Sequence, residues 1–529
     1  MPNPPGDFYV ERDEADSPVV RPWDSLRAPR RVRGRPTLRL LLVGVAVVLA
    51  SESVGQAQVR LSDQIIHQIL EDRVVREKKG VAIVAGLLDD AGERVIAFGP
   101  PIKGSDLTVG GDSLFEIGSI TKTFVTTLLA DMVERGEVGL NDPIAKHLPP
   151  SVRAPTRHGK EITLLHLATH TSGLPRNADN LAPFWWRFCL FCTDETRIVA
   201  SYSMEKMYGF LSGYTLQRDI ESQSSYSSYG MVLLGQLLAR RAGMDFDTLV
   251  RTRITGPLDM RDTVITVSPE QQARLAKGYS AAGKRVTNWD RSKANAPSGG
   301  LKSTVEDLFK YIRANLGMAP SPLRQAMQRA QRPQYNRGNA AWSVGLGWQI
   351  LRGLDGDIVL HDGGTTGYVS FIAFDPRRRT GVVVLSNSYH DITDIGMHLL
   401  DPVRYPLARD AKARKAIAVE AATLDVYVGE YQAYQAGKSP ALGEGLELTE
   451  SYYFTVTRDG TRLFVQPGGF RKVEVFAETD RDFFWLPRDA RDTLLLRDAQ
   501  ATFVRDGSGI VSHMVLHSNG NHWPARKLR

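Results

Sequence analysis

The chain has 529 residues, of which 42% are hydrophobic and 24% are charged, and a net charge of +7. These values are typical of a folded protein of two or three domains and exclude a chain that is disordered overall. A charge of +7 over this length gives no basis for nucleic-acid binding, and two cysteines cannot form a disulfide scaffold.

The N-terminal segment predicts export. Seven arginines between residues 21 and 39 precede the apolar run Leu40 to Ala50, whose 11 residues are too few for a membrane-spanning helix. A basic region, an apolar region and a small-residue site such as Gly55-Gln56-Ala57 are typical of a secretory signal. We therefore interpret residues 1–57 as an extension and signal-type segment of an exported protein. The alternative is a protein anchored in the membrane by residues 40–50, or in peripheral contact with it through this segment.

Residues 58–405 predict a single α+β domain. Helical spacing of apolar residues marks Leu61 to Lys79, and two strands follow at Val81 to Leu88 and Arg94 to Gly99. Because strands also return near the end of this region, we expect the first and last strands to share one sheet. The other predicted helices are 119–135, 162–169, 228–242, 245–254 and 303–316, and the late strands are 345–351, 357–361, 368–374 and 381–386.

The composition of the chain changes near residue 405. Residues 406–424 are charged and rich in alanine, which favours a linker or a connecting helix. Over residues 425–529, short strand patterns alternate with turn dipeptides such as Asp459-Gly460 and Asp506-Gly507. This pattern predicts a small C-terminal all-β domain, either a barrel or a sandwich.

Two Ser-x-x-Lys pairs are candidates for nucleophilic chemistry, because residues three apart on a helix share one face. They are Ser119 with Lys122 and Ser203 with Lys206, and 33 serines with 17 lysines give about one such pair by chance. Ser119 follows a strand-like segment that ends in Gly118, and it opens an apolar helix whose free N–H groups can stabilise an oxyanion. We therefore predict that Ser119 carries the chemistry and that Ser203 is a helix cap.

Six sequence blocks place Ser119 in a wider pattern. The blocks are F-E-I-G-S-I-T-K-T at 115–123, I-T-L-L-H-L-A-T-H-T-S-G-L-P at 162–175, Y-S-S-Y-G-M-V-L-L-G at 226–235, G-P-L-D-M-R-D-T at 256–263, S-G-G-L at 298–301 and H-D-G-G-T-T-G-Y at 361–368. Together they resemble the serine β-lactamase-related family, which comprises class C β-lactamases, DD-peptidases, and related esterases and D-amino-acid peptidases. The resemblance covers about residues 60 to 400 and implies an antiparallel sheet flanked by helices together with a helical region.

The resemblance also implies roles for individual residues. Ser119 is expected to be the acylated nucleophile and Lys122 its amine partner. Tyr226 is expected to pass a proton between Ser119 and the leaving group. The N–H groups of Ser119 and Gly364 are expected to form the oxyanion hole. The implied oxyanion and substrate-binding positions are Gly364, Ser228, His361 and Gly363.

The chain departs from the family pattern at two positions, which bear on its substrate. Ser228 stands where the family has the asparagine of Tyr-x-Asn, and His361 is the strand cation in place of lysine. A hydroxyl cannot replace the amide, and histidine is only partly charged near neutral pH. We therefore expect a serine hydrolase that forms an acyl-enzyme with D-amino-acid peptides, amides or esters, acts weakly on β-lactams, and needs no metal or organic cofactor. The alternatives are a penicillin-binding sensor or scaffold that acylates without turnover, a true class C-like β-lactamase, and a binding module without activity.

Three further features have structural interpretations. His166 and His170 are four residues apart, but no third metal ligand is evident nearby, so we expect structural roles. Cys189 and Cys192 could form a zinc half-site, a redox pair or a local disulfide, and a disulfide or two buried thiols are expected. The aromatic stretch at 184–191 is interpreted as packing, with a wall or lid of the cleft as the alternative.

Overall fold

The computed structural model describes residues 60–181, 200–289, 292–336, 342–352, 356–405, 407, 415–433, 453–467, 472–485, 500–518 and 521–528. The predicted N-terminal extension, with its apolar run, lies outside these residues. No helix within these ranges has both the length and the apolar character needed to cross a membrane.

The region from residue 60 to residue 405 contains twelve strands and ten α-helices among the described residues. Its strands are β1 Ile83–Asp89, β2 Gly92–Phe98, β3 Phe115–Glu116, β4 Thr156–Arg157, β5 Lys160–Glu161, β6 Lys302–Ser303, β7 Tyr335–Asn336, β8 Trp342–Val344, β9 Gln349–Leu351, β10 Ile358–Gly364, β11 Val369–Asp375 and β12 Thr380–Ser386. Its helices are α1 Asp63–Glu71, α2 Thr121–Glu134, α3 Leu164–Ala168, α4 Met204–Gly213, α5 Ser228–Ala242, α6 Phe246–Val250, α7 Pro269–Arg274, α8 Val305–Leu316, α9 Arg324–Ala330 and α10 Thr393–Leu400.

An eight-stranded antiparallel sheet forms the centre of this region, in the order β2-β1-β12-β11-β10-β9-β8-β7. The first long strand pairs with the last along its length, from Ile83 opposite Ser386 to Leu88 opposite Gly381. The prediction that the early and late strands share one sheet is therefore confirmed, as is the α+β fold class.

Helices cover both faces of the sheet, which explains why its strands read as continuous apolar runs. Successive residues of a strand point to opposite faces, so Ile83 packs in the layer that includes α1 and α10, whereas Val84 packs in the layer that includes α2 and α8. The helix predicted at 61–79 is shorter than expected, because a π-helical turn over Asp72–Arg76 follows α1.

The central helix of the domain is α2. Every residue from Thr121 to Met132 is buried, so the helix is surrounded by protein on all sides over three turns. A helix of this kind has little freedom to move, and the residues at its N-terminus are held firmly in place. The predicted nucleophile lies directly before it.

The C-terminal region forms a closed eight-stranded barrel, so the predicted all-β domain is confirmed and is a barrel rather than a sandwich. Aromatic rings fill the barrel, with Phe503 stacked on Tyr427 and edge-on to Phe483. The preceding segment already contacts it, since Leu424 is part of the barrel core. The domain boundaries predicted from the sequence, at residues 405 and 425, stay a prediction. A short helix, α11 Ala421–Asp425, precedes the strands β13 Gly429–Ala433, β14 Tyr453–Asp459, β15 Arg462–Pro467, β16 Val473–Ala477, β17 Asp482–Phe484, β18 Gln500–Arg505, β19 Val511–Ser518 and β20 Asn521–Lys527.

Candidate active site

Ser119 lies on a tight turn between β3 and α2. The 3₁₀ turn Gly118–Ile120 joins the two elements, and Gly118 has a φ of 47°. A Cβ atom on Gly118 would lie only 2.6 Å from the backbone nitrogen of Gly364. Position 118 therefore requires glycine for two reasons, its left-handed backbone conformation and the closeness of β10. The turn leaves the Ser119 side chain partly exposed.

Lys122 extends from the first turn of α2 toward Ser119. Its side chain is completely buried, and its Nζ donates to Ser119 Oγ at 2.8 Å. The same Nζ donates to the backbone carbonyl of Ser298 at 2.5 Å. Because a carbonyl oxygen can only accept, this contact fixes the direction of the amine and leaves it aimed at the hydroxyl. The pair predicted from the Ser-x-x-Lys spacing is therefore in hydrogen-bonding contact.

Tyr226 approaches Ser119 from the segment before α5. Its hydroxyl donates to Ser119 Oγ at 2.7 Å, and Lys122 Nζ lies 5.0 Å from the centre of its ring. One serine oxygen is thus in contact with both an amine and a phenol. Groups of these two types can take the proton from a hydroxyl and return it to a leaving group.

Two neighbours hold Tyr226 in this position. The ring of His170 packs on the tyrosine with centroids 4.7 Å apart, and His170 Nδ1 accepts a hydrogen bond of 3.1 Å from the backbone N–H of Ser227. Ser227 caps α5, because its Oγ accepts from the N–H of Gly230 while donating to the carbonyl of Pro175 at 2.6 Å. The position of the phenol is therefore set by a helix cap and a buried imidazole.

The C-terminal end of β10 runs beside the nucleophile. A Cβ atom on Gly363 would lie 2.1 Å from the carbonyl oxygen of Ile117 and 3.0 Å from the backbone nitrogen of Ser119. Strand β9 pairs with β10 only as far as Leu360, so residues 361–364 pair with β11 but not with β9. The N–H groups of Ser119 and Gly364 thus belong to two backbone segments in direct contact, as an oxyanion hole requires.

The two positions that depart from the family pattern are in different surroundings. His361 is 2% exposed, and its Nδ1 lies 2.6 Å from the carbonyl oxygen of Asp362, so that nitrogen carries a proton. Ser228 is the first residue of α5 and is partly exposed, and its backbone N–H donates to the carbonyl of Arg176 at 2.9 Å. The residue in place of the strand lysine is therefore a buried imidazole, while Ser228 lies two residues after Tyr226.

A buried carboxyl group lies behind the nucleophile. Glu116, three residues before Ser119, accepts hydrogen bonds from the backbone N–H of Trp289 at 2.6 Å and from Asn288 Nδ2 at 3.1 Å. Burial raises the pKa of Glu116, although these bonds and the charge of Lys302 act in the opposite direction. The carboxyl group links the 288–289 segment to the strand that carries the nucleophile.

The other sequence candidates lie outside this cluster. Ser203 caps α4 as predicted, since its Oγ accepts from the N–H of Lys206. His166 is held by Thr163 and by Glu221, which accounts for both ring nitrogens. No group of three or more potential ligands could hold a metal ion within the described ranges. Cys189, Cys192 and the 184–191 aromatic stretch lie outside them.

Sequence reasoning missed three contributors to the site. The carbonyl of Ser298 had no signal beyond the S-G-G-L block, because any residue type supplies a carbonyl. His170 was assigned a structural role, and it does pack structurally, but against the ring of Tyr226. Arg176 had no sequence signal, and its guanidinium carbon lies 5.3 Å from the centre of the same ring.

Comparison with known proteins gives the family of the chain. The family model described as Beta-lactamase matches residues 70–398, which is more than half of the sequence. The chain belongs to the β-lactamase family. It is therefore a serine hydrolase by family, and the matched region contains the whole cluster around Ser119 and ends before the barrel.

Several relatives within the β-lactamase family are similar over most of their own length. The D-alanyl-D-alanine-carboxypeptidase/endopeptidase AmpH of Escherichia coli K12 is 31% identical over 327 residues, which cover 58% of this chain and 79% of AmpH. A β-lactamase of the same organism is 29% identical over 310 residues, covering 52% of this chain and 75% of the relative. The names of these relatives cover both peptidase and β-lactamase activity.

Solved structures of the family have the same fold. The β-lactamase/D-alanine carboxypeptidase of Yersinia pestis, in complex with citrate, aligns with a TM-score of 0.54 at 25% identity, over 64% of this chain and 98% of that protein. A class C β-lactamase of Rhodobacter sphaeroides aligns with a TM-score of 0.52 at 23% identity, over 62% of this chain and 95% of that protein. The fold predicted from the sequence resemblance is thereby confirmed.

Proposed function

We propose that the chain is an exported serine hydrolase that forms an acyl-enzyme with D-amino-acid peptides, amides or esters and acts only weakly on β-lactams. The observation that carries the proposal is the position of Ser119 Oγ, which lies 2.8 Å from the Lys122 amine and 2.7 Å from the Tyr226 hydroxyl. A serine oxygen with two proton carriers and an adjacent strand edge has what acyl transfer needs.

In the proposed reaction, Ser119 Oγ attacks the carbonyl carbon of the substrate while its proton passes to Lys122 or Tyr226. The N–H groups of Ser119 and Gly364 stabilise the oxyanion of the tetrahedral intermediate. Tyr226 then gives a proton to the leaving amine or alcohol as the bond to it breaks, which leaves the acyl-enzyme. Water adds to the ester carbonyl, loses its proton to the same groups, and releases the acid with Ser119 restored.

The substrate class is supported by the names of relatives and by two residues of the site. AmpH is named as a D-alanyl-D-alanine carboxypeptidase and endopeptidase, and other relatives are named β-lactamases. Here a buried histidine, His361, replaces the lysine of the strand, and Ser228 replaces an asparagine. Both changes remove polar groups suited to a β-lactam, which favours peptides and esters as substrates. Export is proposed from the basic and apolar pattern of residues 21–50.

Mass spectrometry of the intact protein tests this function. The wild type is incubated separately with a fluorophosphonate, a penicillin and an activated ester, and adduct formation and loss are followed over time. We expect labelling by the fluorophosphonate, rapid turnover of the ester and slow release of the penicillin. Ser119→Ala should abolish labelling, while Ser203→Ala, which alters a helix cap, is the matched control and should label normally.

Each of the other possible results would indicate a different function or contradict the assigned nucleophile. A penicillin adduct that persists while no ester or peptide is turned over would indicate a sensor that stalls after acylation. Faster hydrolysis of a β-lactam than of every ester and D-peptide tested would indicate a true β-lactamase. Labelling of the Ser119→Ala variant at the wild-type rate would contradict the assignment of the nucleophile.

A further inference from the structure

An exposed cation lies beside the predicted proton carrier. The guanidinium carbon of Arg176 is 5.3 Å from the centre of the Tyr226 ring, and the side chain is exposed. Its backbone is fixed, because its carbonyl oxygen accepts from the N–H groups of both Ser228 and Tyr229 at the start of α5. Arg176 thus has a defined position at the mouth of the cleft.

The guanidinium of Arg176 has no acidic partner within the described part of the chain. Its guanidinium lies over the Tyr226 ring. Other surface arginines among the described residues pair with a carboxylate, as Arg261 does with Asp259 at 2.7 Å. An arginine held over an aromatic ring keeps its five N–H donors directed outward, in a fork that matches the two oxygens of a carboxylate.

The other basic side chains around Ser119 are buried. Lys122 is 0% exposed and is hydrogen-bonded to Ser119 and Ser298, while His361 and His170 are 2% and 3% exposed. Of the described residues around Ser119 named above, Arg176 is therefore the cation that a substrate anion can reach.

We propose that Arg176 binds a carboxylate of the substrate and makes the enzyme prefer anionic substrates. The inference rests on the proposed function, since it concerns what the same cleft accepts. The carboxylate could belong to the leaving amino acid or to the acyl group, and Arg176 would bind it by the same charge-assisted hydrogen bonds in both cases. A charge-assisted contact of this kind is worth about 10- to 100-fold in kcat/KM.

The test compares substrates that differ only in a carboxylate. N-acetyl-D-alanyl-D-alanine and its C-terminal amide report on the leaving-group side, and mono-p-nitrophenyl glutarate and p-nitrophenyl pentanoate report on the acyl side. Arg176→Gln should lower kcat/KM for the anionic member of at least one pair by about tenfold or more, chiefly through KM. The neutral member should change by less than about twofold, and Arg176→Lys should retain part of the preference because it keeps the charge.

Two controls make the result specific. Arg261→Gln removes the same charge from a residue that pairs with Asp259, and should leave both substrate pairs unchanged. Added salt should reduce the wild-type preference for the anionic member, because an exposed pair is screened.

Three other outcomes would contradict either this proposal or the proposed function. Equal losses on neutral and anionic substrates would show that Arg176 only positions Tyr226, and would overturn the proposal, as would no loss at all. Labelling of Ser119 by a neutral fluorophosphonate is measured in the same variants. Its absence in the wild type would instead refute the proposed function, so the two failures are distinguishable.

Discussion

Replacing Gly118 with alanine should disable the proposed oxyanion hole of Ser119 and Gly364. The residue has a φ of 47°, which costs an L-residue about 1–2 kcal/mol. The new Cβ would lie 2.6 Å from the nitrogen and 2.8 Å from the oxygen of Gly364, both of which are backbone atoms that cannot rotate away. Crowding of this kind costs about 1–3 kcal/mol, so the free energy of unfolding should fall by about 2–5 kcal/mol in total.

The effect of Gly118→Ala on activity should be larger than its effect on folding. Relief of the contact requires β10 to move away from the nucleophile turn, which separates the N–H groups of Gly364 and Ser119. Loss of one oxyanion donor costs about 2.7–4 kcal/mol of transition-state stabilisation, or about 100- to 1000-fold in rate. We therefore expect acylation by an activated ester, followed by intact mass, to slow by that factor.

Gly136 provides a matched control at the other end of the same helix. It has a φ of 69°, but a Cβ atom there would have no neighbour within 4 Å. Gly136→Ala should therefore lose about 1–2 kcal/mol in urea unfolding and keep the wild-type acylation rate. The reasoning would be refuted if folded Gly118→Ala acylated at the wild-type rate, or if Gly136→Ala lost as much activity.

Three further predictions concern substrate choice and stability. The double variant His361→Lys with Ser228→Asn should raise β-lactam turnover relative to ester turnover by about 10- to 100-fold, and an unchanged ratio in steady-state kinetics would contradict the proposed preference. Asp394→Asn should lower the free energy of unfolding by about 1–3 kcal/mol, because it removes one of the two carboxylates that pair with Arg73, whose side chain is 5% exposed, and leaves only Glu77. Glu93→Gln, in an exposed pair, should cost less than about 1 kcal/mol in the same urea titration. Partial burial raises the pKa of Asp142, but hydrogen bonds from Gly139, Lys146 and His147 outweigh the effect of burial and lower this pKa to about 2. The ionised carboxylate therefore stabilises the fold above about pH 4, and this contribution is lost as the pH falls toward 2. Asp142→Asn should remove this pH dependence between about pH 4 and pH 2 from the free energy of unfolding.

Local features of the site were predictable from the sequence. Ser119 and Lys122 are three residues apart, on the 3₁₀ turn and the first turn of the helix that follows it, so their contact follows from local helical spacing once the helix is recognised. The cap at Ser203 was predictable for the same reason. The contact of Tyr226 with Ser119 spans 107 residues, and only the resemblance to a family indicated it.

Other contacts could not be predicted from the sequence. Lys122 is directed by a carbonyl 176 residues away, and a carbonyl is common to all residue types. His170 adopts a φ of 61°, which no simple pattern of a histidine predicts, and this conformation accompanies its packing against Tyr226. In the C-terminal region, strand spacing indicated an all-β domain, but closure depends on the pairing of β13 with β20, which spacing cannot reveal.

The pairing of β1 with β12 has a consequence for how this protein acquires activity. The backbone N–H of Ala82 is bound by the side chain of Asn387, which lies 305 residues later in the chain. Contacts across such distances form late and slow folding, because the intervening chain must be ordered first. Strands β10 and β12 come far after Ser119 in the sequence, near the end of the domain. A growing chain of which only the first half has been synthesised therefore contains Ser119 but lacks β10, the strand that lies beside it. Acyl transfer should therefore appear abruptly, when the last strands join the sheet, rather than grow with chain length.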